Sequence, residues 1–136
     1  MADEQQLTQL AEGSDDEVAE KIRAAGTQEV LDGVFEGMPE RFQPEKASGV
    51  DAQVQWLVSD GGEEHPYAVT VGNGTCTTER TRAESPRVTL STDVASFAKL
   101  MTGKAQGPQL YMTGKLKIQG DLMLAQRMTT FFEPLR

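Results

Sequence analysis

The pattern of apolar and polar residues changes its period within the segment from Tyr111 to Phe132. Up to Gln119, apolar residues alternate with polar ones, which is typical of a half-buried β-strand. After Gly120 they recur at spacings of three and four, which is typical of a helix face. Asp121 stands where a helix N-cap belongs, because its carboxylate can accept a free N–H group of the first turn. The apolar faces of this predicted strand and helix comprise Met112, Gly114, Leu116 and Ile118, followed by Leu122, Met123, Leu124, Met128, Phe131 and Phe132.

The helical half of this segment is rich in methionine and phenylalanine. Methionine side chains are flexible and polarisable, so they adapt to irregular apolar shapes. A face of this composition indicates binding of an apolar ligand of the size of a lipid. Packing into an ordinary hydrophobic core is the alternative, and on pattern alone it is the more common meaning of such a stripe.

Two helices are predicted in the first third of the chain. Ser14 and Glu17 form a capping-box signature, and Gly26 is placed to end the first helix. Thr27 can cap the second helix, which we expect Pro39 to end because proline lacks the N–H group that a helix interior needs. The apolar stripes of the two helices are Val18, Ile22 and Ala25 in the first, and Val30, Leu31, Val34, Phe35 and Met38 in the second.

A period of two returns in the middle of the chain. The segments Val50–Val58 and Tyr67–Val71 both alternate, and the Asp60–Gly62 turn separates them. Gly72–Gly74 indicates a tight hairpin into a further strand over Thr75–Arg80. These three consecutive strands predict an antiparallel meander.

The next segment predicts a strand over Arg87–Ser91 and then a helix. Thr92 or Asp93 can cap this helix, and Gly103 is placed to end it. Helices and strands are segregated along the chain rather than alternating regularly. This organisation predicts an α+β fold in which helices cover one face of the sheet.

Length and composition set limits on the class of protein. The chain has 136 residues, of which 38% are hydrophobic and 25% charged, as in an ordinary globular domain. No apolar run approaches the roughly 18 residues of a membrane span, so we do not expect a transmembrane protein. The first residues are acidic and lack the apolar core of a secretory signal, so a cytoplasmic location is the expectation.

The net charge of −8 is distributed unevenly. Residues 1–64 carry sixteen acids and four bases (−12), whereas residues 65–136 carry five acids and nine bases (+4). Arg80, Arg82 and Arg87 form the main local cluster of bases, which is too small for phosphate neutralisation, so nucleic acid is not an expected partner. A transient contact with anionic lipid headgroups or with a protein stays open as an alternative.

The sequence presents no evident reactive constellation. His65 is the single histidine and lies in a polar stretch, where we expect it to face solvent. Its neighbours Glu63 and Glu64 are poorly placed to converge with it on one metal ion. Cys76 is the single cysteine and is interpreted as an inert strand residue. Neither a metal nor a cofactor is expected, and no catalytic residue is assigned.

Several segments together resemble the sterol carrier protein type two family. The resemblance covers about Val30 to Phe132, and its most specific part is the Gly-Lys-Leu-Lys-Ile-x-Gly-Asp segment followed by an apolar helix. We therefore expect one such domain over residues 14–136, with an extra helix at 14–26 and an acidic, disordered lead-in at 1–13. The matching segments are Phe35, Met38-Pro39, Phe42, Lys46-Ala47, Gln53 to Trp56, Asp93 to Gly103 and Gly114 to Asp121.

The resemblance implies a two-layer fold with an apolar tunnel between the layers. It implies a five-stranded, mostly antiparallel sheet covered on one face by helices. It also implies binding of fatty acid, fatty acyl-CoA, phospholipid or sterol without catalysis. Carried over to this chain, the lipid-binding wall comprises Phe35, Phe42, Trp56, Phe97, Met101, Leu110, Met112, Leu116, Met123, Met128, Phe131 and Phe132.

Three hypotheses about function follow. The first is a cytoplasmic protein that binds or transfers a lipid in the tunnel. The second is an interaction or accessory module, related to dimerisation or quinone biosynthesis, in which Phe131 and Phe132 cover a partner. The third is a small enzyme acting on an apolar substrate, since a sequence does not reveal which carboxylates lie side by side.

Overall fold

The structure, a computed structural model, describes residues 4–128 and 130–132. Six α-helices and five β-strands are formed within these residues, with a short 3-10 turn at Pro44–Ala47. In chain order they are α1 (Glu4–Leu10), α2 (Asp15–Ala25), α3 (Thr27–Arg41), β1 (Ala52–Asp60), β2 (Glu63–Gly72), β3 (Thr75–Glu79), β4 (Val88–Asp93), α4 (Val94–Met101), α5 (Gly107–Met112), β5 (Leu116–Gly120) and α6 (Leu122–Met128).

The five strands form one mixed sheet in the order β3-β2-β1-β4-β5. Neighbouring strands are antiparallel except β1 and β4, which run parallel. The connection from β3 to β4 crosses from one edge of the sheet to the other side of β1. This architecture confirms the predicted α+β fold with a mostly antiparallel sheet.

An aromatic cluster joins the helices to the sheet. The ring of Phe35 on α3 stacks on Tyr67 of β2 at a centroid distance of 4.1 Å and on Phe97 of α4 at 5.3 Å. The rings of Trp56 on β1 and Phe97 form a T-shaped pair, with their centroids 5.4 Å apart. All four side chains are buried. Large rings that are buried and paired in this way dominate the energetics of a core, so this cluster fixes α3 and α4 on the sheet.

The predicted helix caps are confirmed at three positions. Ser14 and Glu17 form both hydrogen bonds of a capping box at the start of α2. At α4, the Asp93 carboxylate accepts the Ser96 N–H group at 2.8 Å. Asp121 accepts the Leu124 N–H group at 3.0 Å, so the change from strand to helix occurs where the sequence indicated.

The expected disordered lead-in is wrong for residues 4–10, which form α1. Leu7 and Ala11, four residues apart, are both buried in the hydrophobic core. Two short apolar side chains at helical spacing are enough for a short helix when a preformed core receives them. Residues 1–3 lie outside the described part of the chain.

The expected end of α3 at Pro39 is also wrong, since the helix continues to Arg41. A proline within a helix leaves the carbonyl four residues earlier, here that of Phe35, without its main-chain donor. The Thr78 hydroxyl of β3 donates to this carbonyl instead, at 2.9 Å. A tertiary hydrogen bond therefore replaces the one that Pro39 removes.

The strand predicted to begin at Met112 begins four residues later, at Leu116. Residues 107–112 form α5, with a proline in its first turn, where the missing N–H group costs nothing. The Lys115 N–H group bonds to the Leu110 carbonyl at 2.9 Å and closes the turn after the helix. The alternation at Met112 and Gly114 therefore does not correspond to a strand.

His65 was expected to face solvent, but it is buried in β2. Its direct cross-strand partner is Val58, and such partners share one face of the sheet, so His65 faces inward with Val58. The Nδ1 atom of His65 lies 3.2 Å from Gln28 Oε1 on α3. Since an amide oxygen can only accept, Nδ1 carries the proton of this hydrogen bond.

Candidate functional site

A cavity of about 610 Å³ lies between the sheet and the helices, on the side of β4 and β5. The sheet contributes side chains from β1, β4 and β5, and the helices contribute α4, α5, α6 and the end of α3. The lining comprises Met38, Arg41, Trp56, Leu90, Leu100, Met101, Gly103, Ala105, Gln106, Gly107, Pro108, Tyr111, Met112, Leu116, Ile118, Leu122, Ala125, Gln126, Met128 and Phe132.

The lining of the cavity is mostly aliphatic, sulfur-containing or aromatic. Arg41 is the one charged residue in the described lining, and Gln106 and Gln126 add polar amide groups. A concave apolar surface with few polar groups is typical of sites that bind small apolar or amphipathic molecules.

Six of the twelve residues predicted for the lipid-binding wall line this cavity. They belong to β1, α4, α5, β5, α6 and the segment after α6. These six residues are Trp56, Met101, Met112, Leu116, Met128 and Phe132.

The other six lie elsewhere. Phe35 and Phe97 belong to the aromatic cluster, and Leu110 and Phe131 are buried in the core. Met123 is on the outside of α6, with 76% of its surface exposed.

Phe42 is the remaining residue of this group, and it packs on Phe132 rather than lining the cavity. The centroids of the two rings are 5.7 Å apart, and the two residues form an isolated antiparallel bridge. Next to this bridge, the Gln43 N–H group donates to the Phe131 carbonyl at 2.7 Å. Phe131 is buried and Phe132 is half-buried, so the two rings do not form the exposed partner surface that the interaction-module hypothesis required.

Several lining residues were not predicted from the sequence. Arg41 was missed because α3 was expected to end before it, and Tyr111 because its segment was interpreted as a strand. Leu100 and Met38 were assigned to apolar helix faces but not to the wall. Met38 and Arg41 are three residues apart, about one helical turn. If α3 had been predicted to reach Arg41, this spacing would have placed both residues on one helix face.

The cavity opens to solvent at α5 and α6. Tyr111 and Met112 of α5 are 47% and 85% exposed, and Leu122 of α6 is 47% exposed, yet all three also line the cavity. A side chain that lines a cavity and is largely exposed marks the place where the cavity reaches the surface. The mouth of the cavity is therefore bordered by apolar side chains.

Ion pairs connect the start of α2 to the elements that form the cavity wall. The Asp15 carboxylate is 2.6 Å from the ammonium of Lys99 on α4 and 2.8 Å from that of Lys115, between α5 and β5. These hydrogen bonds hold the pKa of Asp15 below its ordinary value, and the one from Lys115 has a larger effect than the one from Lys99. The Oε1 atom of Glu12 lies 3.9 Å from the Nζ atom of Lys104, which is in the α4–α5 loop.

Two ionisable side chains outside the cavity lining, Cys76 and Tyr67, are buried. Cys76 is buried in β3, and burial raises the pKa of its thiol to about 11, so the nucleophilic thiolate is scarce at neutral pH. Burial and a 2.6 Å hydrogen bond to Asp32 raise the pKa of Tyr67. Within residues 4–128 and 130–132, no group of three or more acidic, histidine or cysteine residues is arranged to hold a metal ion.

None of the helices in the described part of the chain has the length and apolar content that crossing a bilayer requires.

Solved structures share this fold. The inverting sec-alkylsulfatase Pisa1 from Pseudomonas sp. matches with a TM-score of 0.69 at 20% identity, over 78% of this chain and 17% of that one. Sterol carrier protein 2 from Yarrowia lipolytica, in its apo form, matches with a TM-score of 0.62 at 21% identity, over 75% of this chain and 86% of that one. Sterol carrier protein 2 from Aedes aegypti, in complex with palmitate, matches with a TM-score of 0.59 at 16% identity, over 76% and 94%.

The chain thus spans 17% of the length of the alkylsulfatase but nearly all of the small carrier from Aedes aegypti, of which it covers 94%. At identities near 20%, these matches show a common fold. A comparison with curated protein sequences gives no match.

The sequence comparison with protein families is more specific. The model of the SCP-2 sterol transfer family matches residues 35–133, which include every strand and the whole of the cavity wall. Helices α1 and α2 precede the matched range. The match extends over well more than half of the sequence, and this chain belongs to the SCP-2 sterol transfer family.

Proposed function

We propose that this protein is a non-catalytic cytoplasmic carrier that holds one lipid in the cavity between its sheet and its helices. The observation that supports this most directly is the mostly apolar cavity of about 610 Å³ between the two layers. Protein sites for small molecules typically measure roughly 300–1,000 Å³. The cavity therefore suits a long-chain lipid.

The energetics of an acyl chain are compatible with this role. Burying a chain of about sixteen carbons at about 0.8 kcal/mol per methylene contributes on the order of 12 kcal/mol. Lost rigid-body freedom opposes binding by roughly 4–15 kcal/mol.

Fatty acid and fatty acyl-CoA, which each carry a single acyl chain, are the first ligands to test in this cavity. The carrier from Aedes aegypti that shares the fold binds palmitate, which supports a fatty acid as the first ligand to test.

A titration of delipidated protein with fluorescent fatty acid, acyl-CoA and sterol analogues tests this function. Trp56 is the single tryptophan and lines the cavity, so its emission reports occupancy. Saturable binding of one lipid per chain is expected. Absence of saturable binding with all three classes, together with no lipid retained by the purified protein in mass spectrometry, would overturn the proposal.

A variant pair locates the site. Ala105 lines the cavity, so Ala105→Phe narrows it and is expected to weaken fatty acid binding by about ten-fold or more. Ala24 is exposed on α2, so Ala24→Phe adds the same side chain away from the cavity and should leave binding unchanged. Equal binding by the two variants would place the ligand elsewhere.

A further inference from the structure

Residues 103–114, which we call the flap, form one side of the cavity and bury little surface of their own. The flap comprises most of the α4–α5 loop, α5 and the turn that follows it. Seven of its twelve residues line the cavity, including Tyr111 and Met112 at the mouth. Leu110 is the one buried residue of the flap. Segments with few buried side chains open locally at a small cost in free energy, so the flap can move without unpacking the core.

A glycine stands at each end of the flap. Gly103 has a φ of +77° and Gly114 a φ of +80°, and a Cβ atom at either position would have no other atom within 4 Å. Glycine adopts this backbone region without strain, and the open space leaves room for rotation. Beyond Gly114 the main chain is fixed, because the Thr92 hydroxyl of β4 donates to the Lys115 carbonyl at 2.9 Å. The two glycines are therefore the places about which the flap can pivot.

A single carboxylate joins the two ends of the flap. Lys99 lies on α4 before the flap, and Lys115 directly follows the flap. The two oxygens of Asp15 contact their ammonium groups at 2.6 and 2.8 Å. Within the flap, Lys104 Nζ lies 3.9 Å from Glu12 Oε1. A link between the ends of a loop restricts the residues between them, so Asp15 limits the motion of residues 100–114.

The charge of Asp15 also keeps two like charges together. Because the ammonium groups of Lys99 and Lys115 contact the same carboxylate, they lie close to each other. Without that carboxylate the two positive charges repel each other and favour separation of the flap ends. Asp93 also attracts Lys115, but its carboxylate already accepts the N–H and the hydroxyl of Ser96. Asp15 is therefore the main neutralising group between the two lysines.

We propose that the flap is a lid of the cavity and that the contacts of Asp15 with Lys99 and Lys115 are its latch, so that a lipid enters or leaves when these contacts break. This inference rests on the proposed function as a lipid carrier. Asp15 begins α2, which precedes the matched range 35–133, whereas the flap lies within that range. Helix α2 contributes no residue to the described cavity lining, and it controls the rate of lipid exchange from outside the cavity.

Stopped-flow release of a fluorescent fatty acid tests the latch. Asp15→Asn keeps the size of the side chain but removes its charge, and is expected to speed release by about three-fold or more. Arg23→Gln is the matched control, because it breaks the 2.7 Å ion pair of the same helix with Asp60 on β1 and leaves the flap contacts intact. High salt should speed release from the unaltered protein more than from Asp15→Asn, since it screens the ion pairs that the variant lacks.

A change on the lysine side of the latch tests the coupling. Lys115→Met removes one partner of Asp15 and should by itself speed release. In the Asp15→Asn background the same change removes the repulsion between the two lysines, so the double variant should release fatty acid no faster than Asp15→Asn alone. A further acceleration in the double variant, equal to that of Lys115→Met alone, would show that the two residues act independently and would overturn the latch.

Amide hydrogen exchange separates this inference from the proposed function, because it needs no lipid. The N–H groups of Leu110, Thr113 and Gly114 are hydrogen bonded within the flap, so their exchange reports its opening. Their exchange is expected to be about three-fold or more faster in Asp15→Asn than in Arg23→Gln. If the unaltered protein bound no fatty acid, the carrier function would fail, while exchange would still measure how Asp15 restrains the flap. Equal exchange in the two variants, or equal release of fatty acid, would overturn the latch.

Discussion

The Thr78 hydroxyl on β3 donates a 2.9 Å hydrogen bond to the Phe35 carbonyl in the middle of α3. That carbonyl lies four residues before Pro39, so the helix itself offers it no N–H donor. The contact joins α3 to an edge strand and permits the helix to reach Arg41 at the cavity wall.

Removing the Thr78 hydroxyl is expected to destabilise the protein. Thr78→Val keeps the shape of the side chain but leaves the Phe35 carbonyl without its donor, which should lower the free energy of unfolding by about 1–3 kcal/mol. Urea unfolding followed by circular dichroism measures the change. Thr77→Val, at the exposed neighbouring position of the same strand, is the control and should change stability by less than about 0.5 kcal/mol.

A double-mutant cycle connects this loss to Pro39. Pro39→Ala restores a main-chain N–H group that can donate to the Phe35 carbonyl, so Thr78→Val should cost clearly less in the Pro39→Ala background. Urea unfolding of the four proteins of the cycle gives the coupling free energy. A cost of Thr78→Val that is identical with proline and with alanine at position 39 would contradict this relationship.

The Asp15 ion pairs predict a pH-dependent contribution to stability. Hydrogen bonds from Lys115 and Lys99 hold the pKa of Asp15 in the folded protein below its ordinary value of 3.8. The contribution is therefore fully present above that value and is lost as the pH falls through the lower pKa of the folded state. We expect Asp15→Asn to lower the free energy of unfolding by about 1 kcal/mol at pH 7, and by less in acid below that pKa.

Asp16→Asn is the matched control for this experiment. Asp16 lies in the same first turn of α2, so both variants remove one negative charge from the same helix terminus. Urea unfolding at neutral and acidic pH compares them. If the two variants lost the same stability at both pH values, the contacts of Asp15 with Lys99 and Lys115 would contribute nothing specific.

Gly120, at the junction of β5 and α6, is expected to tolerate no side chain. Its φ of +112° is unfavourable for other residues, and a Cβ atom there would overlap the Arg87 carbonyl oxygen. Gly120→Ala should cost about 3 kcal/mol or more. Gly114 has a φ of +80° but open space around it, so Gly114→Ala should cost only about 1–2 kcal/mol. Thermal unfolding of the two variants measures both losses of stability. Equal losses would contradict the overlap between a Cβ atom at position 120 and the Arg87 carbonyl oxygen.

Phe97 and Met101, one turn apart on α4, should separate stability from ligand binding. Phe97 stacks in the aromatic cluster, so Phe97→Leu is expected to lower the free energy of unfolding by about 1–2 kcal/mol with little change in fatty acid affinity. Met101 lines the cavity, so Met101→Ala should weaken fatty acid binding by about three-fold or more with a smaller loss of stability. Urea unfolding and fluorescence titration of both variants measure the two effects, and the reverse outcome would place Phe97 in the site.

The sequence predicted the elements whose signals are local. Alternation identified the strands, and the side chains of Ser14, Asp93 and Asp121 identified three helix starts, because a cap requires only residues within one turn. The continuation of α3 beyond Pro39 was missed because its missing hydrogen bond is replaced by Thr78, which is distant in sequence. Such a replacement leaves no trace in the pattern around Pro39.

The cavity wall could be predicted only in part. Trp56 and Phe97 both carry apolar side chains on inward faces, and their rings touch, yet only Trp56 also borders the cavity. The alternation and helical spacing of a sequence show which faces turn inward. They do not show where two inward faces fail to fill the space between them, because that depends on the separation of the packed layers.

The contact between Phe42 and Phe132 has a consequence for the integrity of the cavity. The two rings pack on each other, and their main chains pair as neighbouring strands do. Phe132 lines the cavity, so this contact fastens the segment after α6 to the segment after α3 at the wall itself. Loosening this contact would therefore release one side of the cavity without disturbing the sheet.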